Sequence, residues 1–114
     1  MSHQVKNIVL LHLFAEVSTE NEAREIGERL CQRLNAFGKQ KICRMKPYWK
    51  TPKYFEFSIE IFGANLSEDQ IHNISAILGG NWIGAGRNLV WNFEGDKTLI
   101  EPKLRWASLE HLEE

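Results

Sequence analysis

The run from Lys53 to Phe62 constrains the fold of this chain more than any other stretch. Its apolar and polar side chains alternate strictly. The apolar set is Phe55, Phe57, Ile59 and Ile61, and the other set is Tyr54, Glu56, Ser58 and Glu60. A period of two indicates a strand with one face in the core. We therefore predict a central strand with Phe57 buried and with Glu56 and Glu60 accessible on an open sheet face.

Length and charge restrict the class of protein. A chain of 114 residues is large enough for one domain with its own core and too short for two, so we predict a single domain over residues 1–114. The formal net charge of -1 argues against a globally basic surface for nucleic acid or an anionic membrane. No apolar run approaches the roughly 20 residues of a membrane span, and Met1 to Lys6 does not resemble an export signal. We therefore predict a cytoplasmic protein without a membrane partner.

The cysteines and histidines predict neither a metal nor a cofactor site. Cys31 falls on a predicted helix stripe and Cys43 on a predicted inward strand position, so we interpret both as free, buried and slowly reacting thiols. The four histidines have no ligand spacing, and CxxC, HExxH and phosphate-loop motifs are missing from the sequence. We predict no metal, no cofactor-binding residue and no catalytic residue.

A strand and a long helix are predicted at the start of the chain. Odd positions of Asn7 to Val17 can face the core, while the even positions form a second set that is too apolar for plain solvent exposure: Ile8, Leu10, His12 and Phe14. This set is either covered or part of a binding face. Thr19 and Glu22 have the form of a capping box, and helical periodicity continues to Gly38. The outer helix face offers the i,i+4 pairs Glu20 with Arg24 and Glu25 with Arg29.

The second half of the chain adds a helix and further strands. The helix is predicted from Ser67 to Gly79, a strand from Arg87 to Glu94, and an extra C-terminal strand or arm over Thr98 to Glu110, with Leu104 and Trp106 on one side. The order strand, helix, strand, strand, helix, strand predicts an α+β domain of ferredoxin-like split βαβ (βαββαβ) form, with two helices on one face of an antiparallel sheet. Because many unrelated proteins share this fold, it predicts no function.

A basic segment without any acidic residue precedes the central strand. It contains Lys39, Lys41, Arg44, Lys46, Lys50 and Lys53. Within it, a short strand is predicted over Ile42 to Met45 with Cys43 and Met45 inward, followed by a loop with Tyr48 and Trp49. Lysines beside aromatic residues could bind single-stranded nucleic acid. Lysines on an edge strand also prevent edge-to-edge pairing, or they are simply solvated, and we favour these two interpretations over nucleic-acid binding.

The central strand permits a test of RNA binding, because RNA-recognition domains share the predicted topology and place an aromatic motif on the third strand. Phe55 and Phe57 align with that motif, but Tyr54 and Glu56 occupy positions that the motif keeps small. Outward phenylalanines would also force Glu56 and Glu60 under the helices at a cost of several kcal/mol. The sequence therefore argues against a nucleic-acid partner.

One arrangement on the open face could support catalysis. His12 is predicted near Glu56 or Glu60, as in monooxygenase-like relatives of this fold that work as dimers. An enzyme needs a nucleophile, a base or a metal converging on a pocket, and a histidine on an apolar strand is more often a packing or interface residue. We therefore predict a protein without turnover of its own.

Several tryptophan-containing segments recur in the second two-thirds of the chain, namely Met45 to Glu56, Trp82, Val90 to Asn92 and Pro102 to Glu110. Together they resemble small bacterial immunity proteins of polymorphic toxin and contact-dependent growth-inhibition systems. The resemblance implies a cytoplasmic protein of toxin–antitoxin type that binds one cognate toxin domain, often a nuclease, and occludes its active site. Such a protein requires no cofactor.

Aromatic and acidic residues are the candidates for partner binding. Tyr48, Trp49 and Phe14 are candidate hot-spot anchors. The carboxylates that could mimic phosphates toward a basic nuclease cleft are Glu16, Glu56, Glu60, Glu68 and Asp69. The opposite assignment stays open, with the basic segment contacting an acidic toxin. The alternative function is a dimerisation module in which Ile8, Leu10 and Phe14 bury one another across a two-fold axis.

Overall fold

The computed structural model describes residues 7–51, 53–63, 66–95 and 99–113, apart from the side chains of Glu68 and Glu113. The elements are β1 (Asn7–Glu16), α1 (Glu20–Arg33), a 3-10 helix (Asn35–Phe37), β2 (Lys39–Pro47), β3 (Tyr54–Phe62), α2 (Glu68–Leu78), β4 (Ile83–Ala85), β5 (Asn88–Asn92) and β6 (Leu104–Glu113). The strands form one antiparallel sheet with the order β2-β3-β1-β6-β5-β4. The predicted α+β class is confirmed. Within the described residues, no helix has the length and apolar character needed to cross a membrane.

The position of the C-terminal strand differs from the prediction. β2, β3 and β1 lie side by side in the predicted order, but β6 rather than β5 pairs with the free side of β1. The segment predicted as an extra arm is therefore a central strand, and the sheet order is not the ferredoxin-like one. Strand length gives the physical reason, because β1 and β6 have 10 residues each and β5 has 5. Only β6 is long enough to pair with the backbone of β1 along its whole length.

The buried side chains form one cluster between the sheet and both helices. The sheet contributes Val9, Leu11, Leu13, Ala15, Phe57, Ile59, Ile61 and Trp91, and the helices contribute Ala23, Ile26, Leu30, Ile71, Ile74 and Leu78. Both helices therefore lie on the same face of the sheet, as predicted. Phe57 and Ile59 are 0% exposed, so the face assignment of the central strand is confirmed. A buried Phe57 is unable to stack on a base.

Two β-bulges change which side chains share a face. In β2, Arg44 has a φ of 59°, and the register moves from Cys43 opposite Ser58 to Lys46 opposite Glu56. The extra residue leaves Cys43 on the open face while Met45 packs against the core. The prediction that Cys43 faces inward is therefore wrong, and that for Met45 is confirmed.

The second bulge lies at the start of β6. Ala15 pairs with Leu104 and Phe14 pairs with Trp106, so Arg105 is the extra residue. Leu104 is 1% exposed in the core, whereas Trp106 faces the opposite way. The prediction that Leu104 and Trp106 lie on one side of the strand is wrong, because the bulge between them reverses the alternation of side chains.

Helix α1 begins as predicted and is tied to the segment before β6 by an unpredicted ion pair. The Thr19 side chain accepts a hydrogen bond from the Glu22 backbone amide at 3.2 Å. The helix ends at Arg33 rather than near Gly38. The Arg29 guanidinium donates to both carboxylate oxygens of Glu101, at 3.1 and 2.8 Å, instead of pairing with the predicted Glu25. The hydrogen bond to Glu101 raises the pKa of Arg29.

Candidate functional site

The sheet face opposite the two helices is the candidate site. The even positions of β1 project onto this open face, where neighbouring strands leave each of them half-buried: Ile8, Leu10, His12, Phe14 and Glu16. Their partners across the strands include Glu56 and Glu60 of β3 and Trp106, Ser108 and Glu110 of β6. The apolar second set of β1 therefore lies on a surface that neither helix covers.

An aromatic cluster lies where β1 ends and β3 and β6 begin. We define it as His12, Phe14, Tyr48, Trp49 and Trp106. The Phe14 ring is central, with centroids 4.6 Å from Tyr48 and 5.2 Å from Trp106 in edge-to-face geometry. His12 lies 5.1 Å from Phe14 and 5.7 Å from Trp106. Trp49 extends the cluster 6.4 Å from Tyr48, and 78% of it is exposed.

The β2–β3 hairpin positions Tyr48 and Trp49. The Tyr48 backbone amide donates to the Tyr54 carbonyl at 2.8 Å, and the Thr51 amide donates to the Tyr48 carbonyl at 3.2 Å. These bonds hold the loop so that the Tyr48 ring contacts Phe14. Phe14, which is far from Tyr48 and Trp49 in sequence, is therefore brought onto one surface with these two predicted anchors.

Glu56 occupies the polar border of the aromatic cluster. Its carboxylate lies 3.2 Å from His12 Nε2 and 3.5 Å from Lys46 Nζ. The Glu56 side chain is 13% exposed and that of His12 is 33% exposed. The predicted proximity of His12 and Glu56 is confirmed, but Glu56 is largely covered rather than openly accessible. Its negative charge is balanced within the protein.

Two further predicted carboxylates on this side also have internal partners. Glu16 Oε2 accepts a hydrogen bond from Arg105 Nε at 3.0 Å and lies 2.9 Å from Arg105 Nη2 in a salt bridge. Glu60 Oε1 accepts a hydrogen bond from Cys43 Sγ at 3.1 Å. The Glu16 carboxylate is therefore paired with a cation, whereas the partner of Glu60 is a neutral thiol.

The last two predicted acidic residues do not belong to this surface. Asp69 is exposed in the first turn of α2, on the helical side of the sheet. The side chain of Glu68 lies outside the described residues. Asp69 and Glu56 therefore lie on opposite sides of the sheet, because α2 packs on the face that Glu56 does not occupy.

Both cysteines are free thiols, as predicted, but they are half-buried rather than fully buried. Burial raises the pKa of Cys31 and of Cys43. The hydrogen bond to Glu60 adds to the rise for Cys43, because the bond requires the protonated thiol. Cys43 therefore takes part in the polar network of the open face.

The basic segment runs along an edge of the sheet and over the hairpin. Its six cationic residues are all exposed, and β2 is an outermost strand, as the edge interpretation requires. Lys50 Nζ lies 5.0 Å from the centroid of the Trp49 ring, a cation–π contact. Positive charge therefore borders the aromatic cluster directly.

Three clefts lie elsewhere on the described surface. The largest, of about 540 Å³, lies between the end of α1 and the start of β2 and is lined by Cys31, Gln32, Asn35, Gly38, Lys39 and Gln40. The others, of about 370 and 270 Å³, lie beside Glu16 and beside Trp82. None of the three is lined by a ring of the aromatic cluster. Within the described residues, no group of three or more His, Cys, Asp or Glu side chains could hold a metal ion.

The main residue of the site that sequence reasoning missed is Trp106. Its place beside Phe14 depends on β6 pairing with β1 and on the bulge at Arg105. Neither feature has a local sequence signal. The sequence matches no protein-family model, and comparison with curated proteins and with solved structures gave no match.

Proposed function

We propose that this chain is an immunity protein that binds a cognate toxin domain in the cytoplasm and occludes its active site. The observation that carries the proposal is the aromatic cluster on the open face. Five rings from β1, the β2–β3 hairpin and β6 meet on a surface that neither helix covers. Tryptophan and tyrosine side chains gathered in this way are typical of the hot spots of protein interfaces.

The segments that resemble immunity proteins support the same surface. Met45 to Glu56 supplies Tyr48 and Trp49, and Pro102 to Glu110 supplies Trp106. The remaining tryptophans have structural roles. Trp91 is 1% exposed in the core, and the Trp82 indole donates to the Gly79 carbonyl at 2.8 Å. Of the four tryptophans, Trp49 and Trp106 are therefore the two that lie in the aromatic cluster of the open face.

Co-expression tests this proposal. The gene immediately upstream is expected to encode a secreted protein with a C-terminal toxin domain, and we expect co-expression of that domain with this protein to restore growth. The two should co-elute in size exclusion. We expect the pair Tyr48→Ala and Trp49→Ala to weaken both effects. The control is Ile77→Ala, which changes a residue of α2 that is 40% exposed on the helical side. Equal killing with and without this protein, and no complex, would refute the proposal.

A second candidate is homodimerisation through the other end of the open face. Ile8 pairs with Phe62 on one side and with Leu112 on the other, which gives an apolar row. Phe62 is 38% exposed and Leu112 is 39% exposed. A two-fold axis would let this row bury itself. Sedimentation equilibrium decides: this candidate requires a dimer that Leu112→Lys dissociates, and a wild-type monomer at high concentration rules it out.

A further inference from the structure

We propose that the partner surface is acidic and that the contact is made by Lys50 and Lys53 of the hairpin together with the aromatic cluster. This inference rests on the proposed function and specifies the chemistry of the toxin surface. Of the two charged surfaces that the sequence left open, the basic segment rather than the acidic open face supplies the charge that contacts the toxin.

The carboxylates beside the aromatic cluster are already paired with cations. Glu16 is held by Arg105 at 2.9 Å, and Glu56 is shared by His12 and Lys46 at 3.2 and 3.5 Å. A basic partner would have to break these contacts before it gained new ones. At distances larger than their own separation, the opposite charges of a carboxylate and its paired cation largely cancel. The acidic side chains therefore offer little attraction to a basic surface.

The hairpin cations, by contrast, have no carboxylate within salt-bridge distance in the described part of the chain. Within the described part of the chain, neither Lys50 nor Lys53 forms a salt bridge, and both are exposed. No acidic residue occurs between Lys39 and Lys53 in the sequence, but Lys53 lines a cleft together with Glu16 and Glu22, so Lys50 is the main unpaired cation beside the cluster. Lys50 also lies against the ring of Trp49, the most exposed member of the aromatic cluster. The exposed positive charge of Lys50 therefore lies next to Trp49, the main candidate for a hot-spot residue.

Protection of the sheet edge does not account for Lys50 and Lys53. β2 ends at Pro47, so Lys39 and Lys41 lie on the edge strand, whereas Lys50 and Lys53 lie in the loop beyond it. A loop presents no row of unpaired strand groups that needs a charged guard. Edge protection therefore does not explain the hairpin cations, which are left as exposed charges that an acidic surface could contact.

Nucleic acid fits this surface less well than an acidic protein. The Phe14 ring already contacts His12, Tyr48 and Trp106, which leaves Trp49 as the exposed ring on which a base could stack. Glu60 and Glu110 flank Leu10 in the middle of the open face and would repel a phosphate backbone that crossed the sheet. A protein surface needs to contact only the end of the sheet that carries the aromatic cluster.

Charge reversal in the complex gives the first test. We expect Lys50→Glu with Lys53→Glu to slow association with the upstream-encoded toxin domain by about tenfold or more at low salt. Lys39→Glu with Lys41→Glu makes the same charge change at the far end of β2, and we expect an effect within about twofold. A complex that forms equally fast with both double variants, or faster with the hairpin variant, overturns the inference and leaves the proposed function standing.

A second test does not depend on the toxin. Octaglutamate and an eight-nucleotide oligouridylate are titrated at equal ionic strength, with tryptophan fluorescence as the readout. We expect octaglutamate to change the emission of the wild type, and the change to be lost in the double variant Lys50→Glu, Lys53→Glu. Tighter binding of oligouridylate would point to nucleic acid and overturn the inference, as would an octaglutamate response that the hairpin variant retains. Failure of the proposed function would appear instead as the lack of any toxin complex.

Discussion

Phe57 links the central strand to helix α1. It is fully buried, and a Cβ on Gly27 would lie 3.2 Å from its ring and 2.9 Å from the Ile42 side chain. The helix therefore approaches β2 and β3 closely because Gly27 has no side chain. Because α1 lies so close to these strands, few other side chains would fit in the space that Phe57 occupies.

Truncation of Phe57 tests this packing. We expect Phe57→Ala to lower the free energy of unfolding by about 3 to 5 kcal/mol, the usual range for a buried phenylalanine. Phe62→Ala is the matched control on the same strand, since Phe62 is 38% exposed, and its cost should be about 1 kcal/mol or less. Urea unfolding of both variants measures the difference. Equal stabilities would mean that the face assignment of β3 is wrong.

The Cys43 thiol gives a pH-dependent prediction. Its pKa is raised by burial and by the bond to Glu60, so the folded state favours the thiol. The stabilisation is complete below the unfolded thiol pKa of about 8.5 and is lost as pH rises through the folded value. In a Cys31→Ala background, we expect slow labelling of Cys43 at pH 8 that quickens at higher pH and on addition of denaturant.

Replacement of the carboxylate isolates its part in this effect. Glu60→Gln removes the negative charge but keeps a hydrogen-bond acceptor beside Cys43 Sγ. We expect the pKa of Cys43 to fall and labelling at pH 8 to accelerate. An unchanged labelling rate in Glu60→Gln would show that burial alone protects the thiol.

At the scale of elements, α1 is tied to the segment before β6 by Arg29 and Glu101. The Glu101 side chain is 7% exposed, and its two carboxylate oxygens accept hydrogen bonds from Arg29. We expect Arg29→Met to cost about 1 to 2 kcal/mol, at the lower end for an unpaired buried acceptor because Arg29 is itself half-exposed. Arg24→Met is the control, since the Arg24–Glu20 pair is exposed at both ends. Chemical denaturation should separate the two variants; similar stabilities would contradict a structural role for the Glu101 pair.

Local patterns predicted the elements of the fold well where their period is regular. β1, β3 and the N-terminus of α1 follow from alternation and from the Thr19–Glu22 capping box. The two bulges were not predictable, because each inserts one arginine rather than a glycine that would have marked the site. The central place of β6 was missed because partner choice depends on strand length and long-range pairing.

The candidate site was predictable by residue type but not by arrangement. Phe14, Tyr48 and Trp49 were identified as anchors because aromatic side chains dominate interfaces, and they meet in the aromatic cluster. The state of the carboxylates depends on register, which brings His12 and Lys46 to Glu56. A sequence shows that Glu56 is acidic, but it does not show which cations neutralise it.

At the scale of the whole molecule, the open face has two different ends. The aromatic cluster and the hairpin cations occupy one end, and the apolar row of Phe62, Ile8 and Leu112 occupies the other. Half-buried polar residues such as Glu60 and Glu110 lie between them. This separation predicts that a toxin domain contacts the aromatic end first, and that the helical side stays free in the complex.

The tryptophan indole N–H resonances of the 15N-labelled protein test that claim most directly. The four side chains report on separate places: Trp49 and Trp106 on the aromatic cluster, Trp91 on the core and Trp82 on the end of α2. On addition of the upstream-encoded toxin domain, we predict large shifts of the Trp49 and Trp106 signals, while those of Trp82 and Trp91 stay near their free positions. Shifts confined to Trp82, with Trp49 and Trp106 unchanged in a saturated complex, would contradict the assignment of the open face as the binding surface.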